Sequence, residues 1–421
     1  MKLYSFIIFS LLLSACTKEP LPPKPKPCDN PPCDTTKPMS MTLELLWQIP
    51  LRLDKDYTVS DACPITPDYA VFRYDAVEQE KLLFVHKSDT SHARFFGPNE
   101  GNYLNVFYHP WVGIIAMDAW SVFTGQNAAS MKKLATVPPG LQFQVNYNLY
   151  GDYVYGNLGY WNAKQQYIFR MNVYSGVIEY LRTIDHADCP ECELILVVPP
   201  VLFELNNGNV IMSYFISYAK TVPGDIRRVL QEISLVKGSE IIPLRVEENP
   251  LINYWKESVI VYKDNWIVTT RDSIYCIEPL SNRKLWVREN KKIDNAYPVN
   301  GTDKILIGNK IISILEGHYT EINADNGDMY VGEKVADGGI ESQISYYNGV
   351  VYWGTKDQAY SWIYGIRISD RKLVVRMRSP NWNKPPYYDD VIFDRRGLVI
   401  DPESGLGYTH DGFFAQCYKL L

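Results

Sequence analysis

Residues 274–286 read Ile-Tyr-Cys-Ile-Glu-Pro-Leu-Ser-Asn-Arg-Lys-Leu-Trp, the pattern of a strand, a polar turn and a second strand that ends on an aromatic residue. Residues 319–330 and 364–374 repeat this pattern, and the strand-end positions Trp286, Tyr330 and Val374 recur at an interval of 44 residues. A fixed interval of about 40–50 residues in strand-rich sequence, with a hairpin turn in each copy, is typical of propeller blades. The sequence therefore predicts an all-β propeller of four-stranded antiparallel blades.

The composition of the 421-residue chain fits this prediction. Hydrophobic residues make up 46% and aromatic residues 13%, so the chain can bury a large core, and its 31 Tyr favour strands. The net charge is −6, and no block of basic residues occurs beyond the N-terminal linker. Because nucleic-acid binding depends on a basic surface, we expect no nucleic-acid partner.

Residues 1–15 are predicted to be a targeting segment. Lys2 supplies a positive charge, and the apolar run at 6–13 is too short to span a bilayer comfortably. The run leads into Leu-Ser-Ala-Cys16, which resembles the processing box of bacterial lipoproteins. The resemblance implies cleavage before Cys16, its lipidation with palmitate, and anchoring in the bacterial outer membrane, on the periplasmic face or at the cell surface. An ordinary signal peptide that contains a cysteine is the alternative.

Residues 16–40 are predicted to be a lipidated tether. Proline is too dense there for a helix or a sheet, so we expect an extended, polyproline-like segment between the lipid and the folded body. Residues 41–421 are then the propeller.

The last predicted blade lacks its outermost strand, because the chain stops after the strand at 413–420. Residues 45–49 match the missing piece, since Leu46-Trp47 resembles Leu285-Trp286 in the equivalent strand of the fifth blade. An unpaired edge is costly, so we expect the N-terminal strand to pair with the C-terminal blade and close the ring. The predicted count is eight blades, with seven as the alternative because the first two blades are hard to delimit.

Three stretches resemble the PQQ-type repeat, at residues 280–286, 322–330 and 407–415. The resemblance covers residues 45–421, and in repeat architecture and lipid anchor the chain is similar to the eight-bladed lipoprotein of the outer-membrane β-barrel assembly machinery, which implies a propeller that acts as a scaffold. Enzymes with this repeat bind a quinone over Ca²⁺, and the alcohol branch stacks it on a vicinal disulfide. This chain has no adjacent Cys-Cys pair, and Tyr330 and Val374 stand where the docking Trp would recur. We therefore expect no cofactor.

The cysteines predict disulfides rather than a metal centre. Cys189 and Cys192 have the spacing of a redox or zinc half-site, but a zinc site would need another pair of ligands. We interpret them as a structural disulfide, with Cys28 and Cys33 as a second candidate pair. Strand-associated Cys63, Cys276 and Cys417 are expected to be buried thiols.

Residues 323–328 superficially suggest a calcium loop. Lys334 stands where such a loop needs a bidentate carboxylate, so Asn-Gly between two strands is better interpreted as a hairpin turn. The six His residues are scattered through different blades, and no catalytic or metal-ligand spacing emerges. We expect no metal and no catalytic residue.

Aromatic residues in predicted loops are the candidate binding residues, because they can stack on a sugar or anchor a peptide: Tyr160, Trp161, Trp382, Tyr387 and Tyr388. The predicted partner face comprises the loops at 157–165, 186–193 and 216–228. The resulting hypothesis is a non-catalytic, lipid-anchored scaffold with a monomeric body, which binds another envelope protein or an envelope polymer. The alternatives are a carbohydrate-binding surface lipoprotein and, less favoured, a PQQ-dependent dehydrogenase-like enzyme.

Overall fold

The structure is a computed structural model. It describes residues 42–50, 57–76, 79–97, 105–144, 147–160, 165–220, 226–248, 259–269, 273–289, 304–315, 317–335, 340–341, 343–356, 361–381, 397–411 and 413–421. The predicted signal peptide and tether, with Cys16, Cys28 and Cys33, lie outside these residues. Within them, no helix combines the length and apolar character needed to cross a membrane.

The described residues form strands and two short 3₁₀ helices, at Thr90–His92 and His186–Asp188. Strands β1 to β17 are Glu44–Pro50, Tyr57–Ile65, Tyr69–Ala76, Gln79–His86, Arg94–Phe96, Asn105–His109, Gly113–Met117, Ser121–Gly125, Lys132–Thr136, Asn148–Tyr150, Tyr153–Leu158, Gln165–Asn172, Ile178–Asp185, Leu194–Glu204, Val210–Ala219, Ile226–Lys237 and Glu240–Glu248. Strands β18 to β33 are Val259–Tyr262, Asn265–Thr269, Ser273–Glu278, Arg283–Glu289, Lys304–Ile307, Lys310–Leu315, His318–Asn323, Met329–Lys334, Ile340–Glu341, Ser345–Tyr347, Val350–Lys356, Ser361–Arg367, Lys372–Arg378, Val399–Asp401, Leu406–His410 and Phe414–Lys419.

These strands form eight antiparallel sheets that follow one another around a ring, so the chain is an eight-bladed β-propeller. Blades I to VI are consecutive four-stranded meanders, β2–β5, β6–β9, β10–β13, β14–β17, β18–β21 and β22–β25. In blade VII the innermost strand is split, since β26 and β27 both pair with β28. The predicted fold is confirmed, with eight blades rather than seven.

Blade VIII combines the two ends of the described chain, because β1 pairs antiparallel with β33 in the order β1-β33-β32-β31. This confirms the predicted closure by the N-terminal strand. Trp47 lies opposite Cys417 and belongs to a cluster that includes Ala70 and Phe72 of blade I. The N-terminal strand therefore completes blade VIII and also packs toward the next blade around the ring.

The middle and outer strands of a blade differ in how far their residues are buried. In β7 (Gly-Ile-Ile-Ala-Met) and β8 (Ser-Val-Phe-Thr-Gly) every residue is buried, because both faces of a middle strand pack against neighbouring blades. The outer strand β1 alternates between exposed and half-buried residues, as expected for a strand near the rim. Hydrophobic clusters such as that of Tyr155 and Ile168 with Ile195 and Tyr214 join successive blades.

Among the described residues, the outer strand of seven blades, all but blade I, contains a bulge with one extra residue, and in six of them that residue is identified by the register. The extra residues, for blades II, III, IV, V, VII and VIII, are Leu134, Leu181, Leu244, Leu285, Val374 and Leu46. In blades V and IV the next residue contacts the following blade: Trp286 Nε1 donates to Ala324 O at 3.2 Å, and Arg245 donates to Pro279 O at 3.2 Å. In these two blades the residue after the bulge thus binds the turn of the neighbouring blade.

This register corrects one prediction about the repeat. Val374 was expected at the docking Trp position. In the structure Val375 holds that position, since it lies opposite Gly365 as Trp286 lies opposite Cys276. Val374 is the bulge residue of the strand. The interval from Trp286 to Val375 is one residue longer than two steps of 44, so a strictly fixed interval placed the position one residue too early. The strands also continue beyond the aromatic positions, so β21 extends past Trp286 to Glu289.

Candidate binding surfaces

The predicted aromatic loop residues are only partly placed by the structure. Tyr160 is half-buried just after β11, and its backbone carbonyl accepts a hydrogen bond from Gln166 Nε2 at 3.3 Å. Trp161, Trp382, Tyr387 and Tyr388 lie outside the described residues. A shared aromatic surface of these five residues therefore stays a prediction.

The two predicted inserts of blade IV differ: the one at 186–193 lies before β14 and begins with a 3₁₀ helix, whereas the one at 216–228 overlaps strands at both ends. Strands β14 to β17 contain 11, 10, 12 and 9 residues, and β15 and β16 include most of the predicted loop at 216–228. Likewise, β11 extends to Leu158. Blade IV thus presents paired strands at both ends of the predicted loop at 216–228.

The segment that enters blade IV is held by a disulfide. Cys189 and Cys192 are bonded, at 2.10 Å between their sulfurs, and both are buried in the cluster shared by blades III and IV. Asp185 precedes this segment and accepts a hydrogen bond from Ala187 N at 2.8 Å. Among the described residues, the one group of three potential metal ligands is Cys189, Glu191 and Cys192, and its two sulfurs are already bonded to each other.

The outer strands of blades IV and V expose large aliphatic side chains. In β17, Ile242, Leu244 and Val246 are 40%, 45% and 56% exposed. In β21, Leu285 and Val287 are 43% and 45% exposed. Charged residues usually protect an edge strand from pairing with other chains, so aliphatic residues there indicate a surface that is covered in function.

Ion pairs between charged side chains join neighbouring blades. Glu321 in blade VI accepts hydrogen bonds from Arg371 in blade VII, with Nη2 at 2.9 Å, and from Lys310 and Tyr319. Burial alone would raise the pKa of Glu321, but these donors outweigh burial and lower its pKa to about 2. The Arg371 guanidinium also lies 4.0 Å from the ring centre of Tyr330. Arg371 therefore fixes the approach of blade VII to blade VI, where the repeat has Tyr330 in place of Trp.

A second pair joins blades I and VIII. Lys87 Nζ lies 2.7 Å from Asp401 Oδ2, and both side chains are largely buried. Burial would raise the pKa of Asp401, but the hydrogen bonds from Lys87 and Ser404 lower it overall. This pair adds a polar contact at the join where the ring closes.

A fully buried carboxylate, Asp411, links blades VII and VIII. Its Oδ2 accepts from Ser379 Oγ at 2.5 Å, Asn381 Nδ2 at 2.8 Å and Gln416 Nε2 at 2.8 Å. Its Oδ1 accepts from two backbone N–H groups, those of residues 413 and 414. Asn381 also donates to Gln48 of β1 at 3.0 Å, so the network reaches the N-terminal strand. The role of this carboxylate is to hold the closing strands together.

Comparison with known proteins identifies the fold. The chain matches no protein-family model, and no curated protein sequence matches it. Among solved structures, BamB from Moraxella catarrhalis is similar, with a TM-score of 0.52 and 11% identity over 90% of this chain and 98% of that one. The Dos1 propeller has a TM-score of 0.53 and 8% identity over 89% of this chain and 95% of that one. At these identities the likeness establishes the propeller fold and not a function.

Proposed function

We propose that this protein is a non-catalytic, lipid-anchored scaffold of the bacterial envelope that binds another protein through the rim of its propeller. The observation that carries the proposal is the set of exposed aliphatic residues on the outer strands of blades IV and V. The propeller fold, shared with BamB, supports it as the kind of rigid frame on which binding surfaces are built.

The aliphatic residues support a protein partner over a small ligand or a sugar. They lie on outer strands rather than in a concave site, and side chains such as Leu244 and Val287 offer apolar contact area without hydrogen-bonding groups. Sugars are recognised largely through polar groups and aromatic faces, whereas protein interfaces bury apolar side chains at their centre. The rim of blades IV and V therefore suits a protein surface.

The proposed anchor is the lipid on Cys16, and the proline-rich residues 16–40 would hold the propeller away from the membrane. Metabolic labelling with a fatty-acid analogue tests this part. Incorporation that is lost in Cys16→Ser supports the anchor, and equal labelling of both proteins would overturn it.

The scaffold itself is tested by site-specific photo-crosslinking of the full-length protein in native membranes. We expect probes at Leu244 and Val287 to give the same discrete protein adduct. A probe at Tyr174, which is 49% exposed on a turn of blade III, is the control and should give none. In Val246→Glu, the adduct at Leu244 should weaken because a charge is placed in the apolar surface. Absence of adducts at both rim positions would contradict the proposal.

A further inference from the structure

Two exposed aromatic residues lie on one face of the propeller, at turns of the adjacent blades II and III. Trp111 is in the turn between β6 and β7, and Tyr174 is in the turn between β12 and β13. The first and third turns of a four-stranded meander lie at the same end of its strands, so both residues belong to the same face. Trp111 is 77% exposed, the highest value for a large hydrophobic residue in the described part of the chain, and Tyr174 is 49% exposed. Since tryptophan is usually well buried, such exposure indicates a surface that contacts a ligand.

His109, the last residue of β6, joins these two residues. Its Nδ1 accepts a hydrogen bond from Trp111 N at 3.3 Å, and its ring lies at 90° to the ring of Tyr174, with 5.6 Å between the ring centres. The Trp111 carbonyl accepts from Gln126 Nε2 at 2.9 Å, and Tyr174 N donates to Asn172 Oδ1 at 3.0 Å. Both turns are therefore fixed before a ligand arrives, which lowers the entropic cost of binding.

A carboxylate lies beside the ring of Tyr174. Oδ1 of Asp152, in the turn between β10 and β11, lies 3.3 Å from His109 Nε2 and 3.3 Å from the Tyr174 hydroxyl. His109 Nδ1 accepts from two backbone N–H groups, so Nε2 carries the proton and donates to Asp152. Oδ2 has no hydrogen-bond partner among the described residues, and the Asp152 side chain is 54% exposed. The Tyr174 oxygen, which donates to Oδ1, still has lone pairs that accept. The site thus offers two neighbouring acceptors beside exposed aromatic rings.

We propose that Trp111, Tyr174 and Asp152 bind a sugar unit of a neutral glycan. The C–H face of the sugar stacks on the Trp111 indole, and two of its hydroxyl groups donate to Asp152 Oδ2 and to the Tyr174 oxygen. This inference goes beyond the proposed scaffold function and does not depend on it.

A cationic side chain is the other ligand class that uses aromatic rings with a carboxylate. The sugar is favoured because the Asp152 carboxylate already accepts from His109 and Tyr174, so less of its charge remains for a cation. Two adjacent acceptors also match the adjacent hydroxyl groups of a sugar. The site is built from turns, so it presents no strand edge with which an extended polypeptide would pair.

The test measures binding of gluco-, galacto-, manno- and xylo-oligosaccharides to the full-length protein by isothermal titration calorimetry, in a detergent without sugar headgroups. We expect at least one of them to bind, and Trp111→Ala to weaken that binding at least about ten-fold because the stacking surface is lost. Tyr174→Phe removes one acceptor and should weaken binding about three-fold or more. Thermal unfolding checks that the variants remain folded.

Trp120→Ala is the matched control. Trp120 is 50% exposed and lies in the turn between β7 and β8, at the opposite end of β7 from Trp111. This variant should change the affinity by less than about two-fold. Equal affinities of the wild type and Trp111→Ala would overturn the inference, as would a failure of all the oligosaccharides to bind.

Salt and a basic peptide separate a sugar site from a cation site. Sugar binding should change by less than about two-fold between about 0.05 M and 0.5 M sodium chloride, since no net charge is paired. A labelled peptide of alternating Ser and Lys should not bind, and salt-sensitive binding of it that is lost in Trp111→Ala would replace the sugar with a cation. Crosslinks at Leu244 and Val287 lie on other blades, so their persistence would leave the scaffold function standing if this inference failed. The Tyr174 probe should still give no protein adduct, because its ligand is a sugar.

Discussion

Trp47, near the N-terminus of the propeller, lies directly opposite Cys417, near its C-terminus, in the register in which Trp286 lies opposite Cys276 inside blade V. The bulge residues that precede the two tryptophans, Leu46 and Leu285, are 44% and 43% exposed. Two strands from opposite ends of the chain thus reproduce the geometry of a strand pair joined by a short turn. The ring closes with a blade built like an internal one.

The contact between Trp286 and the turn of blade VI predicts that a single methyl group added to that turn lowers the stability of the protein. Gly327 has a φ of +76°, and a Cβ there would lie 2.6 Å from Trp286 Cε3. We expect Gly327→Ala to lower the free energy of unfolding by at least about 2 kcal/mol, since backbone strain adds to the clash.

Gly308→Ala is the matched control for that variant. Gly308 has a φ of +61°, but no atom lies within 4 Å of its ideal Cβ. Strain alone should then cost about 1 kcal/mol. Equal losses for the two variants, measured by urea denaturation, would argue against the docking contact.

The ion pair between Glu321 and Arg371 predicts a pH dependence. The pKa of Glu321 is about 2 in the folded protein, below its ordinary value of 4.5, so its contribution to stability is present above about pH 4.5 and is lost as the pH falls toward 2. The free energy of unfolding should therefore fall more steeply across this range in the wild type than in Glu321→Gln. Parallel curves in denaturant titrations at each pH would show that Glu321 does not contribute.

The buried thiols of Cys276 and Cys417 should be unreactive in the folded protein. Burial raises the pKa of Cys276 to about 11 and that of Cys417 to about 12, so the thiolate is scarce at pH 8 and reagents have no access. Brief treatment with iodoacetamide followed by peptide mapping should modify these residues only after denaturation. Rapid labelling of Cys417 in the native protein would mean that β1 opens readily.

The Asp411 network predicts a large loss of stability from a change of one atom. Asp411→Asn replaces an acceptor that faces three side-chain donors, so we expect a loss of at least about 3 kcal/mol in the free energy of unfolding. Asp328→Asn changes a side chain that is 71% exposed and should cost less than about 1 kcal/mol. Comparable losses for both would contradict the role assigned to Asp411.

The sequence predicted what depends on local pattern and missed what depends on contacts between blades. The strand–turn–strand repeat and the pair Leu46-Trp47 were sufficient for the eight blades and their closure. The salt bridge between Glu321 and Arg371 joins residues 50 positions apart on different blades, and nothing in either local sequence indicates it. The exposed aliphatic residues of β17 lie at the edge of their sheet, and that position follows only from the order of the strands.

Closure of the ring by β1 is tested most directly by a disulfide between the chain ends. The Cα atoms of facing residues in an antiparallel pair lie about 4.5–5.5 Å apart, within the range that a disulfide spans, so Trp47→Cys should form a bond to Cys417 under mild oxidation. Gln48→Cys, which faces Gln416 instead, should not bond to Cys417. Peptide mapping that finds the 47–417 bond only in the first variant is the predicted result. Failure of Trp47→Cys to form it in folded protein would contradict a propeller closed by its N-terminal strand.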